Sequence, residues 1–194
     1  MSSFQTRPGP PVYNYFMPTA SSQDPYTRRI GKGMAIAAWV MALALLTLFF
    51  NRYLDDQHNP NQKVHSSLDA GGVREVILQR NPFGHYVANG TINGKPVEFM
   101  VDTGASDVSI PATLAGDLGL KRGRRARYQT ANGAVTAYQT VVAELTLGAI
   151  TLRNVPASIN PGADDLGILL GMSVLKRVEF TQRGDTLILR QVPG

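Results

Sequence analysis

One carboxylate in this sequence stands at the end of an apolar run. Residues 99–101 lead directly into Asp102-Thr103-Gly104, and small residues follow as far as Ser106. The run predicts a buried strand that ends at a tight turn, where Gly104 permits close backbone approach. The hydroxyls of Thr103 and Ser106 are suited to holding this turn and its carboxylate by hydrogen bonds. A carboxylate fixed at a rigid strand end is a starting point for general acid–base chemistry.

The chain offers no comparable second carboxylate. The Asp-x-Gly triplets that begin at Asp117 and Asp165 lack both the hydroxyl residue and the apolar run, and the triplet at Asp69 lies in a polar stretch. The absence of cysteine excludes disulfides, thiol catalysis and Cys-based metal sites. The three histidines lack metal-ligand spacing, so we interpret them as solvated surface residues and expect no metal.

A second signal, the apolar-apolar-Gly motif at residues 168–171, follows about seventy residues later. The two motifs together resemble the retropepsin-like aspartic proteases, in particular their bacterial membrane-anchored group. Between them, residues 128–133 (Tyr-Gln-Thr-Ala-Asn-Gly) look like the flap segment of the bacterial members. The resemblance covers roughly Pro82 to Val192, with the three signals in the family's order.

The resemblance implies an aspartic endopeptidase with Asp102 as the catalytic residue. Such proteolysis needs two carboxylates that share one proton, because two carboxylates a few ångströms apart cannot both ionise. A domain of about 110 residues is too small to supply a second lobe. We therefore expect a homodimer whose two-fold axis brings two copies of Asp102 together. We expect a peptide or protein substrate and no cofactor.

Supporting roles follow from the same resemblance. Thr103 would hydrogen-bond across the dimer axis, and the Gly104 backbone would hold the carboxylate in plane. Leu170 and Gly171 would pack behind the loop, for which an ordinary buried strand end is the alternative interpretation. Asn132 and Gly133 would lie at the tip of the flap, where an ordinary hairpin turn is the alternative.

Two other classes of function stay open at this point. In one, the domain keeps the fold but serves as a catalytically quiescent binding module. In the other, the protein is a membrane-anchored scaffold whose basic run at residues 121–127 grips lipid or an acidic partner. The net charge is +5, and this run is first interpreted as a solvated loop and next as an anionic-lipid contact. Nucleic acid is not expected as a partner, because aromatic interleaving is missing.

From residue 83 onward the pattern predicts an all-β domain, a closed barrel with one or two short helices. Asn93-Gly94 separates two strand-like runs and is a favoured hairpin turn. The second run leads to Asp102. The other predicted strands are 135–147, 150–159, 166–170, 178–181 and 186–191, and the predicted short helices are 111–118 and 172–177.

The N-terminal part divides into three predicted segments: a disordered tail (1–32), a transmembrane helix (33–51) and a flexible tether (52–82). Residues 34–50 carry no charge, and an uncleaved anchor is favoured over a signal peptide because no small-residue cleavage site follows. Basic residues crowd the N-terminal flank of the span. The positive-inside rule therefore predicts a cytoplasmic tail and a periplasmic or otherwise extracytoplasmic protease domain at 83–194.

Overall fold

The structure is a computed structural model that describes Gly9 and residues 25–130, 133–163 and 167–193. The chain forms two compact units, Met1–Leu48 and Phe49–Gly194.

The long helix α1 (Pro25–His58) occupies the described part of the first unit and continues into the second. Within its segment Gly33–His58, a window of 18 residues has a mean hydropathy of 2.2, and none of this window is buried inside the protein. Eighteen residues span about 27 Å as a helix, close to the roughly 30 Å of a bilayer's hydrocarbon core, so the helix is long and apolar enough to cross a membrane. A signal sequence near an N-terminus meets the same criteria of length and apolar composition. The predicted tail lies largely outside the described residues, and the helix already begins at Pro25 rather than at residue 33.

The second unit is built mainly from strands, as predicted. Its two short helices are α2 (Ala112–Ala115) and α3 (Met172–Leu175). The strands are β1 (His65–Leu68), β2 (Arg74–Gln79), β3 (Tyr86–Ile92), β4 (Lys95–Val101), β5 (Val108–Pro111), β6 (Arg125–Thr130), β7 (Gly133–Leu147), β8 (Ile150–Asn160), β9 (Ile168–Leu170), β10 (Glu179–Arg183) and β11 (Thr186–Gln191).

The strands form two sheets around one apolar core. The larger sheet has the order β3-β4-β9-β5-β8-β7-β6, and an additional pairing of β3 with β7 curls it back on itself. The smaller sheet has the order β1-β2-β11-β10. Alternating strand residues supply the core, whose largest fully buried side chains include Phe99, Leu78, Ile92, Ile110 and Leu170.

The β3–β4 hairpin positions the predicted site, and its turn is explained by local chemistry. Asn93 and Gly94 have φ angles of 52° and 78°, the left-handed conformation that a two-residue hairpin turn requires. The register Tyr86↔Val101 to Ile92↔Lys95 places the end of β4 next to the start of β3. The predicted hairpin is therefore present.

Residues 52–82, which the sequence predicts to be a flexible tether, contain a helix end and two paired strands in the structure. Within residues 52–82, helix α1 continues to His58, and β1 pairs with β2. The Asn61 side chain accepts a hydrogen bond from the Gln79 N–H (2.7 Å) and donates to the carbonyls of Gln79 (2.9 Å) and Val87 (2.7 Å). Composition suggested a solvated linker because these residues are polar, but their polar groups satisfy backbone groups of the folded unit. Three asparagines are buried in this way: Asn59, Asn61 and Asn81.

Candidate active site

Asp102 directly follows β4, which lies between β3 and β9 in the larger sheet. Strands β4 and β9 are parallel, with Val101 opposite Leu170. The Asp102 N–H donates to the Leu170 carbonyl at 3.1 Å, so the backbone of the aspartate is fixed by the neighbouring strand. Asp102 itself is only partly buried. Strand β4 is not buried throughout as predicted: Phe99 is buried, and Met100 and Val101 are partly buried, where the strand brings the Asp102 carboxylate to the surface of the unit.

A backbone donor holds the carboxylate of Asp102. The Gly104 N–H donates to Asp102 Oδ1 at 2.8 Å, and the Ala105 N–H donates to the Asp102 carbonyl at 3.3 Å. The sequence suggested that the hydroxyls of Thr103 and Ser106 would hold this carboxylate. Both residues are exposed, and the donor to Oδ1 is the Gly104 N–H. A Cβ atom on Gly104 would lie 3.1 Å from Oδ1. The glycine therefore gives the N–H an unobstructed approach to the carboxylate.

Gly171 passes behind the catalytic loop, which we define as residues 102–107. A Cβ atom at this position would lie 2.6 Å from the Ala105 carbonyl oxygen and closer still to that of Asp107. The backbone of Gly171 is extended, so the requirement for glycine comes from this close approach. The next two residues continue the contact: the Met172 N–H donates to Ala105 O (2.8 Å) and the Ser173 N–H donates to Ser106 O (3.1 Å).

A second carboxylate, Asp107, ends the loop, and sequence reasoning gave it no role. Its Oδ2 accepts a hydrogen bond from the Tyr128 hydroxyl and its Oδ1 accepts one from the Ser158 hydroxyl, both at 2.9 Å. Burial of the phenol, and then the hydrogen bond to Asp107 and the charge of that carboxylate, raise the pKa of Tyr128 to about 12. The partners lie 21 and 51 residues away in the sequence, so only the position of Asp107 beside the motif could have drawn attention to it.

The predicted flap corresponds to a hairpin of strands β6 and β7, which we call the β6–β7 arm (residues 125–138). The strands pair from Arg125↔Tyr138 to Thr130↔Gly133. Gly133 has a φ of 107°, a conformation that favours glycine. Asn132 lies outside the described residues, so its role and that of Gly133 at a flap tip stay predictions.

Comparisons with known proteins agree on one family. A family model described as a gag-polyprotein putative aspartyl protease matches residues 88–177, which include the catalytic loop and Gly171. The crystal structure of a retropepsin-like aspartic protease from Rickettsia conorii is 34% identical and covers 66% of this chain and 96% of its own, with a TM-score of 0.53. The chain belongs to the retropepsin-like aspartic protease family.

Two further relatives are similar over most of this chain. An uncharacterized protein in the cobV 5′ region of Sinorhizobium sp is 32% identical over 177 residues, or 84% of this chain and 75% of the relative. An uncharacterized protein of Rickettsia prowazekii (strain Madrid E) is 33% identical over 164 residues, or 79% of this chain and 69% of the relative. Both similarities are too long to be confined to the 90 residues that the family model matches.

Proposed function

We propose that this protein is an aspartic endopeptidase that hydrolyses peptide bonds with an Asp102 dyad formed across a homodimer. The observation that carries the proposal is the catalytic loop itself. It presents a partly exposed carboxylate held by the Gly104 N–H and supported from behind by Gly171. Family membership supports the reaction class.

In this reaction the two Asp102 carboxylates share one proton. The ionised carboxylate accepts a proton from a water molecule held between them, and the protonated one donates its proton to the carbonyl oxygen of the peptide bond. The water oxygen bonds to the carbonyl carbon, and the C–N bond then breaks after proton transfer to the leaving nitrogen. The hydrogen bond from Gly104 keeps the carboxylate oriented for both transfers.

A homodimer is needed because each chain supplies one such loop. Among the described residues, Asp102 is the only aspartate that follows an apolar strand within an Asp-Thr-Gly turn. The Asp107 carboxylate does not fit the second role, because each of its oxygens already accepts a hydroxyl hydrogen bond. A two-fold arrangement would supply the second carboxylate from an identical loop.

We further propose that α1 anchors the enzyme and that the protease domain is extracytoplasmic. The segment Gly33–His58 is long and apolar enough to span a membrane. Arg28, Arg29 and Lys32 precede it, against Arg52 within it and Lys63 after it, which favours a cytoplasmic N-terminus. A shared membrane would raise the local concentration of chains and favour the dimer.

The proposal is tested by the substitution Asp102→Asn. Asn is nearly isosteric and keeps an acceptor for the Gly104 N–H, but it cannot exchange the proton, so cleavage of a quenched peptide library should fall by at least about 10³-fold. The exposed Asp117, which begins another Asp-x-Gly triplet, provides the matched control Asp117→Asn, which should keep its activity. Cleavage by the Asp102→Asn chain within a few fold of the unsubstituted chain would refute the catalytic role.

A further inference from the structure

The contact between Tyr128 and Asp107 joins two parts of the fold that are separated by intervening strands in the order of the larger sheet. Tyr128 lies on β6, and Asp107 is the last residue of the catalytic loop before β5. In the larger sheet β7 and β8 separate β6 from β5. The hydroxyl of Tyr128 therefore reaches past two strands to the loop that carries Asp102.

The outer strand of the arm is β6, which is an edge strand of the larger sheet. It lies at the end of the sheet order and pairs with β7 on one side. Its alternate residues Arg125 and Arg127 are exposed, whereas Ala126 and Tyr128 are partly buried, so β6 turns one face toward the protein. Tyr128 is near the free end of this face, two residues before the strand ends at Thr130.

The acceptor, in contrast, is held firmly. The Asp107 carbonyl lies against Gly171, at a distance that leaves no room for a side chain there. Its carboxylate also accepts the Ser158 hydroxyl, and Ser158 is buried in β8 between Ser109 and Gln139 of the neighbouring strands. Asp107 thus presents Oδ2 to Tyr128 from a fixed position.

We propose that Tyr128 and Asp107 form a latch between the β6–β7 arm and the catalytic loop, and that Tyr128 is a positioning residue that sets how firmly the arm holds a bound peptide. The inference rests on the proposed function, because it takes the arm to be the flap over the substrate. A hydrogen bond to a charged acceptor is stronger than one between neutral groups, so its loss should release the arm measurably. The phenol is protonated, and hence a donor, in the neutral range, and its raised pKa extends that range upward from about pH 10.

The latch is tested first by amide hydrogen exchange, which needs no activity. The full chain in detergent carries Asp102→Asn to prevent self-digestion, with or without Tyr128→Phe, which removes only the hydroxyl. We expect amides of the arm to exchange about tenfold faster when Tyr128→Phe is added to Asp102→Asn. The backbone N–H of residue 102, which donates to the Leu170 carbonyl, should keep its protection in both chains.

The matched control is Tyr138→Phe. Tyr138 lies in the same arm, and its ring contacts Arg122 and Arg125 at 5.1 and 5.5 Å. Because these contacts use the ring face, loss of its hydroxyl should leave exchange in the arm unchanged. Equal exchange with and without Tyr128→Phe, or equal acceleration by Tyr138→Phe, would overturn the latch.

The role in substrate binding is tested by kinetics with Asp102 restored. Tyr128→Phe should raise KM about tenfold and leave kcat within about threefold, because the arm binds the peptide without touching the transferred proton. Asp107→Asn keeps an acceptor oxygen and should raise KM less than Asp107→Ala, which removes the acceptor of both Tyr128 and Ser158.

Absence of proteolytic activity and absence of the latch give different experimental results. If the full chain with Asp102 cleaves no peptide in the library, the proposed function fails, while the exchange experiment still decides whether the latch exists. If exchange accelerates but KM is unchanged, the latch exists and its role in holding substrate is overturned. A fall in kcat alone would also contradict a positioning role in binding.

Discussion

The catalytic loop and the β6–β7 arm are held by different kinds of contact. The loop is fixed by backbone hydrogen bonds to β9 and α3 and by the close approach of Gly171. The described part of the arm is held at its base by the pairing of Tyr138 with β8, and further out by the pairing of its own strands and by the hydroxyl of Tyr128. A proton-transfer group must keep its geometry, whereas a segment that covers a peptide must open and close. The two kinds of contact suit the tasks that the proposed function gives to the loop and to the arm.

The largest effect should come from breaking the loop at its support. Gly171→Ala would place a methyl group against the carbonyls of Ala105 and Asp107, which are themselves held by backbone contacts. We expect a loss of about 3 kcal/mol or more in unfolding free energy, measured by denaturant titration. Gly162→Ala is a matched control, because a Cβ there would meet nothing closer than 3.7 Å. An unchanged denaturation midpoint for Gly171→Ala would refute the close contact between Gly171 and the catalytic loop.

A smaller loss of stability, which affects the folded unit as a whole, should follow from Asn61→Ala. This change leaves the buried carbonyl of Val87 and the backbone N–H and carbonyl of Gln79 without their side-chain partner, at a cost of about 2–3 kcal/mol in unfolding free energy. Because the loss is global, KM of the remaining folded enzyme should not change, in contrast to Tyr128→Phe. The exposed neighbour Gln62 gives the control Gln62→Ala, expected within about 0.5 kcal/mol. A raised KM in the Asn61 variant would show that the arm depends on this segment.

The smallest effect concerns the arm and appears as a pH dependence. Tyr128→Phe should cost about 1.5 kcal/mol near neutral pH through loss of one hydrogen bond to a carboxylate. The pKa of Tyr128 is raised from 10.0 to about 12 in the folded state, so its stabilising contribution is complete below pH 10 and is lost as pH rises to about 12. The difference in thermal midpoint between the two chains should therefore shrink over this range. A difference independent of pH would contradict the buried contact with Asp107.

The comparison also shows which features the sequence alone could predict. The strand that ends at Asp102 and the Asn93-Gly94 turn follow from patterns within a few residues, because each depends on local geometry: a strand end or a left-handed turn. The position of Gly171 behind the loop was implied by the family resemblance, since its close contacts are with Ala105 and Asp107, which are distant in the sequence. The core strands were predictable for the same reason, since alternation and β-branched composition are local signals.

The remaining features depend on partners distant in the chain. Asn61 is buried because it completes backbone hydrogen bonds 18 and 26 residues away, and its polar neighbours made the segment resemble a flexible linker. Asp107 meets Tyr128 and Ser158 only because β6 and β8 lie near the loop in the folded sheet. A polar residue does not indicate from its type whether solvent or a distant strand will satisfy it.

The central claim is that catalysis needs one Asp102 from each of two chains, and a mixing experiment tests it most directly. Chains carrying Asp102→Asn are mixed and re-equilibrated with unsubstituted chains at constant total concentration, and peptide cleavage is measured against the unsubstituted fraction. If only dimers with two Asp102 residues are active, cleavage follows the square of that fraction and falls to about a quarter at an equimolar ratio. A linear decline to about half, as for independent monomers, would contradict the shared dyad.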